Sequence, residues 1–492
     1  MNRREFLANV LKTGVLALPG LPTWASADAL AGVATLRRTL VNVTLPGGPD
    51  MRHLLPPRIA TGEPADSYAS AYWLARARSH GITTPGLEGS LARWNEAYDQ
   101  LLDPYTKQPL NVGMLKSCGW LKAMWDAGHV AFINNVVGAD SRDHSHALLV
   151  LDQGDRSSSA NDFSKPGWGG RLAALLGGDA RVAALTTSPR RFCLSPAAGN
   201  PSHGASDLTL SVRDSRNLGL PDNVLKPDAK PWEITSPPNV MARALKAYYA
   251  ARNWSADSPY ARFALHEESL RSAGEKLKAR LGTAETGANA LLPVPDAIRA
   301  LYTAQAGQPA PPGPRQYWGR QMRNLHDLVA VSDILNTPVV SLEYGGWDTH
   351  QNEKNTIESN LRDLFGTNMG FDALYQNLAP AARSNLVFVI AGEFGRQLAA
   401  NGDGGTDHGR GSTFIVIGDS VRGGIYGNMF PESEKALFSR GRNDDIKGLT
   451  GIEHLFGAVA DWVARGDTGN LVANRNTSLL EAGVDLKKLF IA

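Results

Sequence analysis

Leu386-Val387-Phe388-Val389-Ile390-Ala391-Gly392-Glu393 is an uninterrupted apolar run that closes on a glycine and a carboxylate. A short run of this kind, with no polar residue on either face, suits a central strand covered on both sides. A carboxylate at the end of such a strand needs a partner if it is buried. A cation would serve, and so would an ion pair with Arg396, three residues further on. Both readings stand at this point.

Working outward, Pro338–Glu343 and Thr413–Ile417 also read as strands, and so do Arg38–Leu45 and Val130–Val137. The first of these last two runs into Pro46-Gly47-Gly48-Pro49-Asp50, the second into Gly138-Ala139-Asp140-Ser141-Arg142-Asp143-His144-Ser145-His146. Helical periodicity covers Gly86–Leu102, Val112–Gly128, the stretch from Ala147 onward and Gln316–Leu335. Helices alternating with strands predict a three-layer α/β/α domain on a mostly parallel central sheet, with functional residues gathered beyond the carboxyl ends of the strands. Proline clusters between Asn217 and Pro238 and between Gly307 and Pro314 bracket an insertion at about 217–314. Its interior, Val240–Leu281 and Pro295–Ala304, reads as amphipathic helices forming a lid.

The chain has 492 residues, with 50 Lys and Arg against 48 Asp and Glu, so its formal charge of +2 gives no broad footprint for nucleic acid. Asn2-Arg3-Arg4-Glu5-Phe6-Leu7, a short apolar stretch and Ala25-Ser26-Ala27 predict a twin-arginine signal over residues 1–27 and a mature domain over 28–492, periplasmic or secreted. No later run reaches membrane length, so no stable span is expected after signal cleavage. The two cysteines, Cys118 and Cys193, exclude a disulfide-dense scaffold and any four-cysteine metal site, and read as buried thiols, with a single bridge formed after export as the alternative. The chain lacks a P-loop, a dinucleotide-binding glycine motif after the first strand, a haem-attachment cysteine pair and a GxSxG elbow.

Two acid/histidine clusters carry the chemistry. In Gly346-Trp347-Asp348-Thr349-His350 the acid and the histidine alternate across one residue, so an extended loop points both the same way, within reach of one ion at ~2.0–2.2 Å. The bland alternative makes Asp348 the cap of the next helix. Asp407 and His408 sit in the glycine-rich loop Asn401–Gly411, which is costly to order unless its backbone folds closely around something. A plain surface hairpin is the alternative; it explains the Gly and Asn, and Asp-His-Gly less easily. Carboxylates with histidines favour zinc, manganese or iron; magnesium and calcium fit less well, because no EF-hand ligand order is present.

Together with Arg3-Arg4-Glu5-Phe6-Leu7, Glu393-Phe394-Gly395-Arg396 and Val421-Arg422-Gly423-Gly424-Ile425-Tyr426-Gly427, these clusters resemble the domain-of-unknown-function family 1501, which in turn resembles the alkaline phosphatase and sulfatase superfamily. That resemblance implies an alkaline phosphatase-like fold, with Asp50, Asp348, His350, Glu393, Asp407 and His408 as the field of metal ligands and Glu393 and Asp407 as alternatives for one place. It implies a nucleophile near Ser145, activated by metal or by His146. Met51-Arg52 after Asp50 and Ala147 after Ser145-His146 depart from the family pattern, and Ser145 reads equally as a helix N-cap. The implied activity is hydrolysis or transfer of a phosphate or related anionic ester, small or glycan-linked, with Arg142, Arg396 or Arg410 clamping the anion. With no cysteine at the nucleophile position, a formylglycine sulfatase is not expected. The alternative is a non-catalytic envelope protein that binds a metal, a partner or a glycan on the same fold.

Overall fold

The computed structural model describes residues 37–176, 184–186, 192–194, 209–216, 244, 247–248, 272–335, 337–439 and 444–491. The signal segment and most of the insertion, residues 217–271, lie outside these residues apart from isolated positions. Strands follow in chain order as β1 (Thr39–Thr44), β2 (Tyr98–Leu102), β3 (Pro109–Leu115), β4 (Val130–Val137), β5 (Ala184–Thr186), β6 (Thr209–Ser211), β7 (Val339–Glu343), β8 (Leu386–Ala391), β9 (Ser412–Ile417), β10 (Gly424–Tyr426) and β11 (Thr450–Gly451). Nine of them form one sheet in the order β10-β4-β9-β8-β1-β7-β5-β6, with β11 also pairing β4. Every neighbouring pair is parallel except those made by β9, which runs against both β4 and β8. The expected mixed α/β fold with a mostly parallel central sheet is therefore present.

β8 is the strand its composition predicts, with all six residues buried. Its side chains alternate between two hydrophobic clusters: Leu386, Phe388 and Ile390 in one, Val387, Val389 and Ala391 in the other. The first cluster also takes Trp73, Trp318 and Leu361 from helices Tyr68–Ala75, Gly313–Ala330 and Glu353–Phe365. The second takes Leu151, Leu172 and Val459 from helices His144–Gln153, Trp168–Leu176 and Ile452–Ala464. Fully burying each Val, Ile or Phe contributes about 1.5–3 kcal/mol, so this strand anchors the register of its neighbours. Cys118 and Cys193 are buried free thiols, one in each cluster.

Two helical expectations need correction. Gly86–Leu102 ends as a helix at Ala97 and continues as β2, and Val112–Gly128 opens as part of β3 before a helix at Gly119–Asp126. β2 and β3 pair antiparallel as a separate two-stranded sheet. The physical reason lies between them: Asp103 accepts the backbone N–H groups of Tyr105 and Thr106, and Lys107 takes a φ of 58°, a turn that no continuous helix contains.

Register sets up the site. Thr44 at the end of β1 is level with Glu343 of β7 and with Ala391 of β8. The loops after these strands therefore leave the sheet side by side. Because β9 is antiparallel, the loop that precedes it arrives at the same edge, where Ser412 pairs with Val136 of β4.

Candidate metal centre

Four loops meet at this edge. Gly47 takes a φ of 119°, and a Cβ there would collide with the backbone of Trp347 and Asp348. A Cβ on Gly405 would likewise strike the backbone of Thr349 and His350. These are the positions at which the glycine-rich sequence is needed, because the ligand loops touch backbone to backbone.

The centre is built on Asp348. Its Oδ1 lies 2.9 Å from Nε2 of His408 and 3.1 Å from Nε2 of His350, and these two nitrogens are 3.0 Å apart. Its Oδ2 lies 3.5 Å from Nε2 of His144. Three histidines thus direct Nε2 at one carboxylate, and each has its Nδ1 occupied from behind. His144 Nδ1 meets Glu393 at 2.8 Å, His350 Nδ1 meets Asp407 at 3.0 Å, and His408 Nδ1 meets the Arg142 carbonyl at 3.0 Å.

A carbonyl only accepts hydrogen bonds, so Nδ1 of His408 carries the proton, and in the neutral ring Nε2 is left as a lone pair. His350 faces a carboxylate at each ring nitrogen, Asp407 at Nδ1 and Asp348 at Nε2, and with the proton on the Asp407 side its Nε2 is a lone pair as well. Two lone pairs and a carboxylate oxygen then face one another at about 3 Å, the spacing of neighbouring ligands around an ion at ~2.0–2.2 Å. Either a cation or extra protons must resolve this. Burial lowers the pKa of His408, partly offset by Asp348, which favours its neutral ring. Burial pushes the Asp348 carboxyl up, but the His408 contact and the Arg396 guanidinium outweigh it and hold the group at about 2. His144 is raised, first by its hydrogen bond with Glu393, against the effect of burial. The donor set therefore fits a divalent transition metal such as zinc, manganese or iron.

The structure distributes the expected residues over different roles. Asp348, His350 and His408 come together. Asp348 does not cap the helix Glu353–Phe365, whose N-cap is Asn352. Glu393 and Asp407 stand one bond behind the nitrogens. Glu393 is buried and also accepts the N–H groups of Gly47 and Gly48, so its carboxylate is held by backbone and histidine rather than by Arg396. Arg396 is buried too, and donates to the carbonyls of Gly47, Gly48, Trp347 and Thr406 and to Asp348 at 2.9 Å. It knits the loops together. Arg142 and Arg410 share the buried carboxylate of Asp445.

Asp50 lies elsewhere. It caps the short helix Met51–Leu54 and pairs with Arg76, in a fully buried group with His53 and Glu353. Ser145 is exposed on the first turn of helix His144–Gln153, whose N-cap is Asp143, so it is not the cap. His146 places its Nε2 on the carbonyl of Ser158.

The residue that sequence reasoning missed is His144. Its signal was present, one of two histidines in the run after β4, but nothing local separates it from His146 two residues later. Only the helix start decides which of them faces Asp348. Glu353, 0% exposed, was likewise hidden in an ordinary helix sequence.

No helix among the described residues is long and apolar enough to cross a membrane. No curated protein is similar enough to match this chain. Residues 267–447, which hold Asp348, His350, Glu393, Asp407 and His408, match the family described as protein of unknown function (DUF1501), in support of the resemblance that the late motifs carry.

Proposed function

We propose that this chain is an exported, metal-dependent hydrolase or transferase acting on a phosphate or related anionic ester, on a three-layer α/β/α, alkaline phosphatase-like domain. The observation that carries the reading is the convergence of three histidine Nε2 atoms on Asp348, each with its Nδ1 already bonded from behind. Solvent reaches the same group: the side chains of Asp348, His350 and His144 are 45%, 43% and 36% exposed. A structural ion is closed off by its ligands, whereas a catalytic one keeps an open side.

A divalent cation held here supplies a Lewis acid that polarises an ester oxygen and acidifies a water or a hydroxyl. Everything else falls to the protein. Glu393 and Asp407 fix the tautomers and ring orientations of His144 and His350. Arg396 places Asp348 and offsets its charge. Arg142 and Arg410, anchored by Asp445, add positive charge next to the His408 loop and favour an anionic substrate. Ser145 makes no hydrogen bond to a base among the described residues, which favours water over Ser145 as the nucleophile.

The test is elemental analysis of the exported protein followed by a screen of phosphate and sulfate esters with the metal-loaded form. About one or two zinc, manganese or iron ions per chain and turnover that survives S145A are expected. Metal without turnover of any ester would move the reading to a non-catalytic metal-binding envelope protein, and no metal at all would end both.

A further inference from the structure

Beside the centre, and contributing no ligand to it, lies Glu353, on the first turn of helix Glu353–Phe365. Its side chain is wholly buried. One carboxylate oxygen, Oε2, accepts the hydroxyls of both Thr349 and Thr406, at 3.4 Å and 2.5 Å. Its backbone N–H donates to the carbonyl of Gly404 at 3.1 Å, and the N–H of Thr406 donates to the carbonyl of Thr349 at 3.1 Å. Thr349 separates the ligands Asp348 and His350, and Thr406 immediately precedes Asp407 and His408. Both threonines are buried, at 2% and 0% exposure.

The alternation of an extended segment explains the arrangement. With Asp348 and His350 turned to the open side, Thr349 between them must turn inward, and there it meets Glu353. The other oxygen, Oε1, is buried without a hydrogen-bond partner, 3.7 Å from Arg76 and 3.8 Å from Nδ1 of His53, itself unpartnered. Arg76 neutralises Asp50, and Arg93 pairs with Glu358, so Glu353 and His53 are what remains of the buried charge. One proton between them balances it.

We propose that Glu353 is a positioning residue for the metal centre, gripping through a single oxygen the threonines of both ligand loops. The proposal rests on the metal reading above. Acting through Thr349 and Thr406, Glu353 sets the distance between the Asp348/His350 pair and His408. Hydrogen-bonded partners that hold metal ligands in place are worth 10- to 100-fold in affinity, and Glu353 holds the residues next to those ligands.

Cobalt(II) is the probe, because both its affinity and its visible spectrum report the ligand geometry. T406V keeps the shape of threonine and removes the hydroxyl; T406S keeps the hydroxyl and removes the methyl. The expected result is a loss of about 10- to 100-fold in cobalt affinity with an altered spectrum for T406V, and near-normal binding for T406S. A role in packing alone predicts the reverse order, and that result would overturn the proposal, as would wild-type affinity and spectrum in both. Should T406V fail to fold, E353Q carries the test: it weakens the charge-assisted bonds without changing shape, and a loss of about 10-fold is expected. Wild-type affinity and spectrum in E353Q would then refute the role. A wild-type protein that binds no cobalt refutes the metal reading itself and this proposal with it.

Discussion

Two groups of acids and histidines lie close together in this molecule, and the same letters do different work in them. Around Asp348, three histidines surround one carboxylate that solvent can reach, and a guanidinium that contacts it, Arg396, has further donors on four carbonyls. Around Asp50, the histidine and both carboxylates are fully buried, and Arg76 sits against Asp50 as the cation. Two features separate a candidate metal centre from a buried ion-pair group: whether solvent reaches the carboxylate, and whether the histidine nitrogens point inward with their other side tied down. Acid/histidine spacing alone measures neither.

The largest effects should come from removing the inner ligands. D348A and H408A should each abolish tight metal binding, while H53A should leave the metal content per chain unchanged. Elemental analysis of the three proteins checks this, and metal lost from H53A but kept in D348A would invert the comparison. Next in size is a stability effect on the buried side. Replacing Arg76 by methionine strands Asp50 and Glu353 without their cation, and breaking a buried pair in this way costs about 3–5 kcal/mol. Urea unfolding of R76M should show this, and a change below about 1 kcal/mol would mean that Asp50 finds another cation.

Much of this contrast was legible in the sequence, and the part that was not has a physical reason. β4 and β8 begin and end where their composition says, because β8 is an apolar run and β4 is one but for Asn134 and Asn135, each bounded by glycine or a turn. Asp348, His350 and His408 were legible because glycines frame them. Placing Asp50 among the ligands followed from the resemblance; its neutralisation by Arg76 depends on a helix whose docking the sequence does not encode locally. Glu393 posed a choice between cation and arginine, and the structure gives a third partner, His144. β5, β6, β10 and β11 are two or three residues long, too short for any periodicity to reveal.

Glu393 sharpens the comparison at the next level down. If it stands behind His144, E393Q should bind metal about 10- to 100-fold more weakly yet keep the same number of ions per chain. If it were a direct ligand, loss would be as complete as in D348A. Titration with a metal-sensitive chelator competitor separates the two outcomes.

The smallest expected effect is a pH dependence that the two groups should not share. In the metal-free protein the pKa of His144 is raised above its ordinary 6.5 by Glu393 and Asp348. A raised pKa means that the folded state holds this proton more tightly than the unfolded chain, so the contact adds stability below pH 6.5 and loses it as the pH climbs through the raised value. Metal requires the neutral ring, so the proton and the ion compete for His144 over that interval. Asp348, held near 2, stays ionised throughout and contributes nothing to the change. The rise in Tm produced by added zinc should therefore be larger at pH 8 than at pH 6, and H144Q should flatten the difference. A zinc-dependent rise that is equal at both pH values in the wild type would mean that His144 is not part of the centre, leaving Asp348, His350 and His408 as the whole ligand set.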